Sequence, residues 1–225
     1  MITDKELIAL EKKRQNESDW VLKKIDLIAK LKKYGEVNVV GAKALGLMVA
    51  KDIDISVLVD KVKMDDWTKL VGELLVTPYV RRVNAIDYYN YDSNNKYDPK
   101  NGQKYSLYIS IEKFVGPDED RLDPWEIQIH LQTKDVFDEK KVEEIKNKLT
   151  PDLKLVIFRL KYWAHEINKI LKIKSDGNFK INSTHIYNSV LDKKINTVDG
   201  FIKHFIDLAP EEYKELFMEN IKEIG

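Results

Sequence analysis

Val37-Asn38-Val39-Val40-Gly41-Ala42, nine further residues, and then Asp52-Ile53-Asp54-Ile55-Ser56-Val57-Leu58-Val59 is the stretch from which the fold is read. An apolar run ends in a glycine, a short Leu/Met-rich segment follows, and a second apolar run opens with two aspartates. Residues two apart on a strand point to the same face. Asp52 and Asp54 therefore project together, with Ile53 and Ile55 turned the other way, toward a core. Two carboxylates side by side repel, and one is driven toward its protonated form unless a cation lies between them. An all-oxygen ligand set suits a hard divalent ion, Mg²⁺ before Mn²⁺. The plain alternative is a pair of solvated acids at the start of a strand, and the glycine turn upstream weighs against it.

Outward from this stretch, elements of both kinds alternate. Residues 3–33 read as two helices, with Leu7 and Leu10 in the first and Trp20, Val21, Ile25, Ile28 and Leu31 in the second. Ser18 or Asp19 is the expected cap between them. Lys32-Lys33-Tyr34-Gly35 closes the second helix, basic residues and then glycine. Strands are expected at 36–40 and 53–59 with a short helix near 43–49 between them, and Met64–Val76 returns to helical period. Strands follow at 79–83, 105–112 and 125–131, separated by a polar loop over 90–104 and a Gly116-Pro117 turn. In the last of these strands Glu126, Gln128 and His130 share a face.

Thr150-Pro151 opens a helical regime. Leu155, Val156, Phe158, Tyr162, Trp163 and Ile167 make an amphipathic helix, 174–182 is a polar break followed by Ser183-Thr184-His185-Ile186-Tyr187 and then Val190-Leu191, and helices are expected from Thr197 and over 210–222. This is an α+β chain: a mixed sheet flanked by helices over 1–135, and a C-terminal helical region over 150–225. The aromatics Tyr162, Trp163, Tyr187 and Phe201 fall at helical spacing, which reads as core.

Composition sets the outer bounds. At 225 residues, 43% hydrophobic and 34% charged, the chain has the make-up of a soluble globular protein. The apolar runs are too short to span a bilayer, and the first residues lack a basic-then-apolar leader. The absence of cysteine excludes a disulfide framework and a thiolate zinc site, so a cytoplasmic setting is expected. Lys and Arg total 38 against 38 Asp and Glu, so the overall charge gives nucleic-acid binding no support. His130, His165, His185 and His204 lack metal-ligand spacing.

The Val40-Gly41-Ala42 turn, the spacer and Asp52-Ile53-Asp54-Ile55 resemble the signature of the nucleotidyltransferase superfamily, the polymerase-beta-like fold. Ala44-Leu45-Gly46-Leu47-Met48-Val49 is similar to a small bacterial nucleotidyltransferase-domain, GrpB-like group within it, as are the helix around Lys161 and the Ile186-Tyr187-x-x-Val190-Leu191 stretch. The resemblance implies an NTP substrate, Mg²⁺ or Mn²⁺ held by Asp52 and Asp54, and transfer of a nucleoside monophosphate to a hydroxyl. Gly41, Ala42 and Lys43 would lie against the nucleotide phosphates, and Lys161 is similar to a helical lysine that reaches phosphates in relatives. Arg81, Arg82 and Arg159 are further candidates. Two departures stand out. Ala42 replaces the usual serine, which leaves only backbone N–H donors there. The family's third aspartate falls at Gln128, a neutral residue, so Glu126 on the same face becomes the candidate base.

Three readings follow. The first is an enzyme acting on a small-molecule or protein acceptor, with no membrane partner. The second is a degenerate member that binds a nucleotide or a partner without chemistry. The third, and weakest, is a toxin-like transferase acting on tRNA or a protein. The intact Asp52/Asp54 pair favours the first, whereas Ala42 and Gln128 favour the second.

Overall fold

The structure is a computed structural model of the chain. It describes every residue except 1, 62, 88–105, 115–123, 135–138, 175–180, 210, 212–213, 216 and 220–225. The loop expected over 90–104 and the turn at Gly116-Pro117 lie outside the described residues, as does most of the break at 174–182; the helix expected over 210–222 is described only in part.

Five strands form one mixed sheet: β1 (Glu36–Val40), β2 (Asp52–Val59), β3 (Arg82–Asp87), β4 (Ser106–Phe114) and β5 (Trp125–Thr133), in the order β1-β2-β5-β4-β3. Strand β1 runs antiparallel to β2, pairing Val39 with Ile55 and Val40 with Asp54. Strands β2 and β5 run parallel, Asp52 level with Glu126, Asp54 with Gln128 and Ser56 with His130. Strand β4 is antiparallel to both β5 and β3.

Alternation divides the sheet into two unlike faces. Ile53, Ile55 and Val57 of β2, with Ile127, Ile129 and Leu131 of β5, are buried in one core. Val21, Ile25, Leu27, Leu31, Leu70 and Leu74 join them there from α1 (Asp4–Lys24), α2 (Leu27–Lys32) and α4 (Met64–Leu75). Each such side chain contributes roughly 1.5–3 kcal/mol when taken out of water. The other face carries Asp52 and Asp54 of β2 and Glu126, Gln128 and His130 of β5, all partly exposed.

The N-terminal helices break later than the sequence suggests. Helix α1 continues through Ser18 and Asp19 to Lys24, and the interruption comes at Asp26, in the left-handed region at φ 49°. Ser18 does not cap a helix: its hydroxyl donates to the Gln15 carbonyl (2.7 Å), a bond compatible with helix interior. Strand β3 begins at Arg82, three residues after the expected start, and Tyr79 takes a positive φ of 72°.

Cα packing separates two units, one of residues 12–144 and one of residues 1–11 with 145–225. The first eleven residues, read from sequence as part of the sheet unit, group with the helical one. The break falls inside α5 (Glu139–Lys148), a helix the sequence reading left unassigned.

The helical unit holds α6 (Pro151–Lys174), α7 (Ser183–Tyr187), a π-helical turn over Asn188–Asp192, and α8 (Val198–Leu208). Its helix starts are capped as their residues predict. Thr150 Oγ1 accepts from Leu153 N–H (3.3 Å), Asn182 and His185 form a reciprocal capping box, and Thr197 Oγ1 accepts from Gly200 N–H (3.1 Å). Trp163, Phe201, Phe205 and Phe217 pack ring against ring at 5.1–6.1 Å, so the aromatics at 163 and 201 serve the core. Among the described residues no helix is long and apolar enough to cross a membrane.

Candidate active site at the glycine turn and the acidic strand

Backbone geometry brings the glycine turn and the acid pair together. Val40 is the last residue of β1 and lies opposite Asp54. Gly41 then turns the chain into α3 (Gly41–Leu45) at φ 61°, a conformation that costs an L side chain about 1–2 kcal/mol. Glycine is also needed for space. A Cβ at residue 41 would stand 2.0 Å from Asp54 Oδ2 and 2.9 Å from its Cγ. The missing side chain at 41 thus leaves room for the Asp54 carboxylate. Gly46, at φ 65°, ends α3 and lets the chain return toward β2.

The start of β5 is locked to the same place. Glu126 N–H donates to the Lys51 carbonyl at 2.8 Å, one residue before Asp52, and Trp125 is fully buried. Glu126 is thereby fixed opposite Asp52, and Gln128 opposite Asp54. Neighbouring strands stand about 4.8 Å apart, so both candidates for a third polar group are adjacent to the pair. The Gln128 amide donates to Glu126 Oε1 at 3.0 Å. A neutral amide thus occupies the position opposite the second aspartate and holds the only carboxylate that β5 offers on this face.

The residues fit a divalent cation in one specific respect. Asp52 Oδ1 is buried and has no hydrogen-bond partner among the described residues. A buried anionic oxygen without a donor is costly, and a cation bound there would relieve the cost. Three acidic or histidine side chains do not converge on a common point among the described residues, so the pair is the core of any such centre.

The cations expected around the nucleotide are distributed differently. Lys43 is engaged by α1: its ammonium donates to Asp19 Oδ1 and Ser18 Oγ at 2.7 Å each and to Gln15 Oε1 at 3.4 Å. Its side chain is 12% exposed. These contacts tie α3 to α1. Arg159 forms a two-pronged pair with Asp4, at 2.8 and 2.6 Å, and that guanidinium holds the Asp4 carboxyl below its ordinary range. Arg82 donates to Asn84 Oδ1 (3.0 Å) on edge strand β3. Lys161, in the helical unit, is the exception: it is 8% exposed, its ammonium has no hydrogen-bond partner among the described residues, and it lies 5.8 Å from the Tyr187 ring centroid.

Sequence reading passed over Ser56 and Gln132. Ser56, next on the face after Asp54, is buried and accepts from Gln132 Nε2 at 2.7 Å. Extending the two-residue period of β2 and β5 past the acids finds both. His130 stands opposite Ser56, and burial pushes its pKa below the ordinary histidine value.

No family model and no curated protein matches the chain. Solved structures do. The chain is similar to a cytoplasmic RNA terminal U-transferase, with 16% identity, a TM-score of 0.51, and coverage of 83% of this chain and 54% of that one. It is similar to the Cid1 poly(U) polymerase with MgGTP bound (16% identity, TM-score 0.54, 84% and 54% covered). The same polymerase with the UTP analogue UMPNPP gives a TM-score of 0.52 at 16% identity, covering 84% and 53%. This chain spans about half the length of those proteins. What these likenesses establish is the architecture: a mixed α+β sheet with flanking helices, shared with those solved structures.

Proposed function

We propose that the chain is a Mg²⁺-dependent nucleotidyltransferase that moves a nucleoside monophosphate from an NTP, ATP first, to a hydroxyl of a small-molecule or protein acceptor. The observation that carries this reading is the Asp52/Asp54 pair beside the Gly41 turn, with Asp52 Oδ1 buried and lacking a donor among the described residues. The similar Cid1 structures hold MgGTP and Mg 3′-dATP, which supports a metal-nucleotide complex as ligand. A cytoplasmic setting, with its supply of ATP and Mg²⁺, fits the same reading.

Asp52 and Asp54 would hold Mg²⁺, which when bound supplies positive charge to the α-phosphate and the departing pyrophosphate. The acceptor oxygen bonds to the α-phosphorus, the bond from that phosphorus to the bridging oxygen breaks, and pyrophosphate leaves with the electron pair. The acceptor's proton passes to the Glu126 carboxylate. Gln128, through its 3.0 Å hydrogen bond to Oε1, fixes the orientation of that base and leaves Oε2 for the proton. Backbone N–H groups of Gly41 and Ala42 face the phosphates where relatives add a serine hydroxyl. The resemblance also assigns Lys161 to phosphate, and its buried ammonium, 5.8 Å from the Tyr187 ring centroid, has no hydrogen-bond partner among the described residues.

Calorimetric titration with Mg²⁺ and a non-hydrolysable ATP analogue tests the proposal. Wild type should bind only when Mg²⁺ is present, and Asp52→Asn should lose that dependence while keeping its circular dichroism. Equal Mg²⁺-dependent affinity in both proteins would remove the central claim.

One observation favours the degenerate reading as runner-up. Neutral Gln128 stands opposite Asp54, and no third acid converges with the pair among the described residues. Tight Mg²⁺–ATP binding without pyrophosphate release, whatever the acceptor, would select it.

A further inference from the structure

Helix α3 is five residues long, and no side chain caps its start: Val40 makes no cap bond, and Ala42 brings no hydroxyl to the turn. A helix that short does not hold its place by its own hydrogen bonds, so its pose is set by what packs on it. Ala42 and Leu45 are buried and seat its apolar side. The polar restraint comes from Gln15 of α1, a residue of the same unit as the acid pair.

Gln15 holds Lys43 at two points. Its Nε2 donates to the Lys43 backbone carbonyl at 3.1 Å, and its Oε1 accepts from the Lys43 ammonium at 3.4 Å. Ser18 Oγ also accepts from that ammonium and donates to the Gln15 carbonyl, at 2.7 Å in each case, and Ser18 is fully buried. The remaining partner, Asp19, has a side chain 71% exposed. An ion pair in that setting is screened and worth little, so the amide and the hydroxyl carry the grip. A carboxylate in place of the Gln15 amide could accept from the ammonium but could not donate to the carbonyl.

The grip lies close to the acids. Val40 is fixed by its pairing opposite Asp54, and Lys43 is fixed by Gln15, so any slack in α3 is taken up at Gly41 and Ala42 between them. Gly41 bounds the Asp54 carboxylate, since a Cβ there would stand 2.0 Å from Oδ2. A displaced α3 would therefore crowd that carboxylate or release it.

We infer that Gln15 is a positioning residue for the metal site proposed at Asp52 and Asp54. Its amide, through the Lys43 carbonyl, sets the Gly41 turn against Asp54 and so fixes the direction of the carboxylate. The inference rests on the nucleotidyltransferase reading and adds to that site a residue contributed by α1.

The test compares the full chain with Gln15→Glu and Asp19→Asn. Gln15→Glu keeps an acceptor for the Lys43 ammonium and removes the donor to its carbonyl. Its urea midpoint should stay near wild type, while Mg²⁺-dependent affinity for a non-hydrolysable ATP analogue falls at least about tenfold, within the range of about 10–100-fold for losing a group that orients a metal ligand. In NMR spectra without nucleotide, the Asp54 amide signal should move in Gln15→Glu. Asp19→Asn should match wild type in both measurements. Unchanged affinity in Gln15→Glu overturns the inference, as does an equal loss in Asp19→Asn, which would assign the effect to the ion pair. A fall in urea midpoint large enough to account for the lost affinity overturns it too, because Gln15 would then only hold the fold. A wild type that binds no Mg²⁺–ATP analogue strikes the nucleotidyltransferase reading instead. The Asp54 signal, read without nucleotide, then decides the role of Gln15: a shift supports it, and an unmoved signal overturns it.

Discussion

Strands β2 and β5 present two surfaces made by one stretch of backbone. On one side Ile53, Ile55, Val57, Ile127 and Ile129 are fully buried, packed in a single cluster with α1, α2 and α4. On the other, Asp52, Asp54, Glu126 and Gln128 stand level with one another across the same parallel ladder. Residues one apart therefore serve opposite ends: the odd-numbered positions hold the sheet, and the even-numbered ones carry its chemistry. A polar face with three acids would be unstable alone. It is tolerated because the reverse side of the same strands contributes the burial energy, and the rigidity of that side sets the spacing of the acids.

The sharpest way to break the comparison is to substitute neighbours on opposite faces. Asp54→Asn should lower transfer by a factor on the order of 10³, the scale for losing a principal source of transition-state charge stabilisation, with urea stability close to wild type. Ile129→Ala should do the reverse, costing about 2–5 kcal/mol of stability as a large-to-small core change while the folded fraction keeps its nucleotide affinity. Urea melts beside initial rates for both variants check this. Loss of both properties in both variants would mean the faces are not separable.

Glu126→Gln comes next, with a loss on the order of 10², the lower end for a positioned base. Because Gln128 is level with Asp54, Gln128→Asp adds a carboxylate opposite the second acid of the pair. It should tighten Mg²⁺ binding if the site lacks charge, and slow transfer if Glu126 depends on the Gln128 amide. Mg²⁺ titration and single-turnover rates read the two effects separately.

Gly41→Ala is a smaller and more mixed change. The backbone conformation costs an alanine about 1–2 kcal/mol. The new Cβ would also overlap Asp54 Oδ2, so the carboxylate must move aside. The expected result is a modest drop in urea midpoint with a disproportionate loss of Mg²⁺-dependent nucleotide affinity. A loss of stability with unchanged affinity would show that Asp54 relaxes without consequence.

The local parts of this arrangement were legible in the chain. Alternation in 52–59 and 125–131 placed both strands and both faces, because period-two burial needs no knowledge of the partner. The glycine turn was legible as a turn, but its contact with Asp54 was not: that depends on β1 pairing with β2 so that Val40 lies opposite Asp54. The contacts of Lys43 were hidden for a similar reason. Its partners Gln15, Ser18 and Asp19 are 24 to 28 residues away, and their polarity looked like a helix cap. Helix α5 escaped notice because Val142 and Ile145 are its only apolar residues among ten, too few to show a period. The resemblance implied the Asp pair and the lysine on α6; the register of β5, which decides between Glu126 and Gln128, needed the structure.

The smallest expected effect concerns pH. Burial depresses the His130 pKa in the folded chain, whereas in the unfolded chain it takes the ordinary value of about 6.5. Above that value both states are neutral at this residue and it contributes nothing. As the pH falls through it, the unfolded chain takes up a proton that the folded chain resists, so stability declines. The decline continues until the folded-state pKa is reached and then levels off. His185 is depressed by burial as well and acts in the same direction, whereas Asp4 matters only in the more acidic range where its lowered carboxylate titrates. His130→Gln removes one of these components and leaves the others. Wild type should therefore lose more stability than the variant between pH 7 and pH 5, with the two curves parallel above pH 7. Parallel curves throughout would mean that the imidazole is solvated in the folded chain, and that the polar face is wet as far as His130.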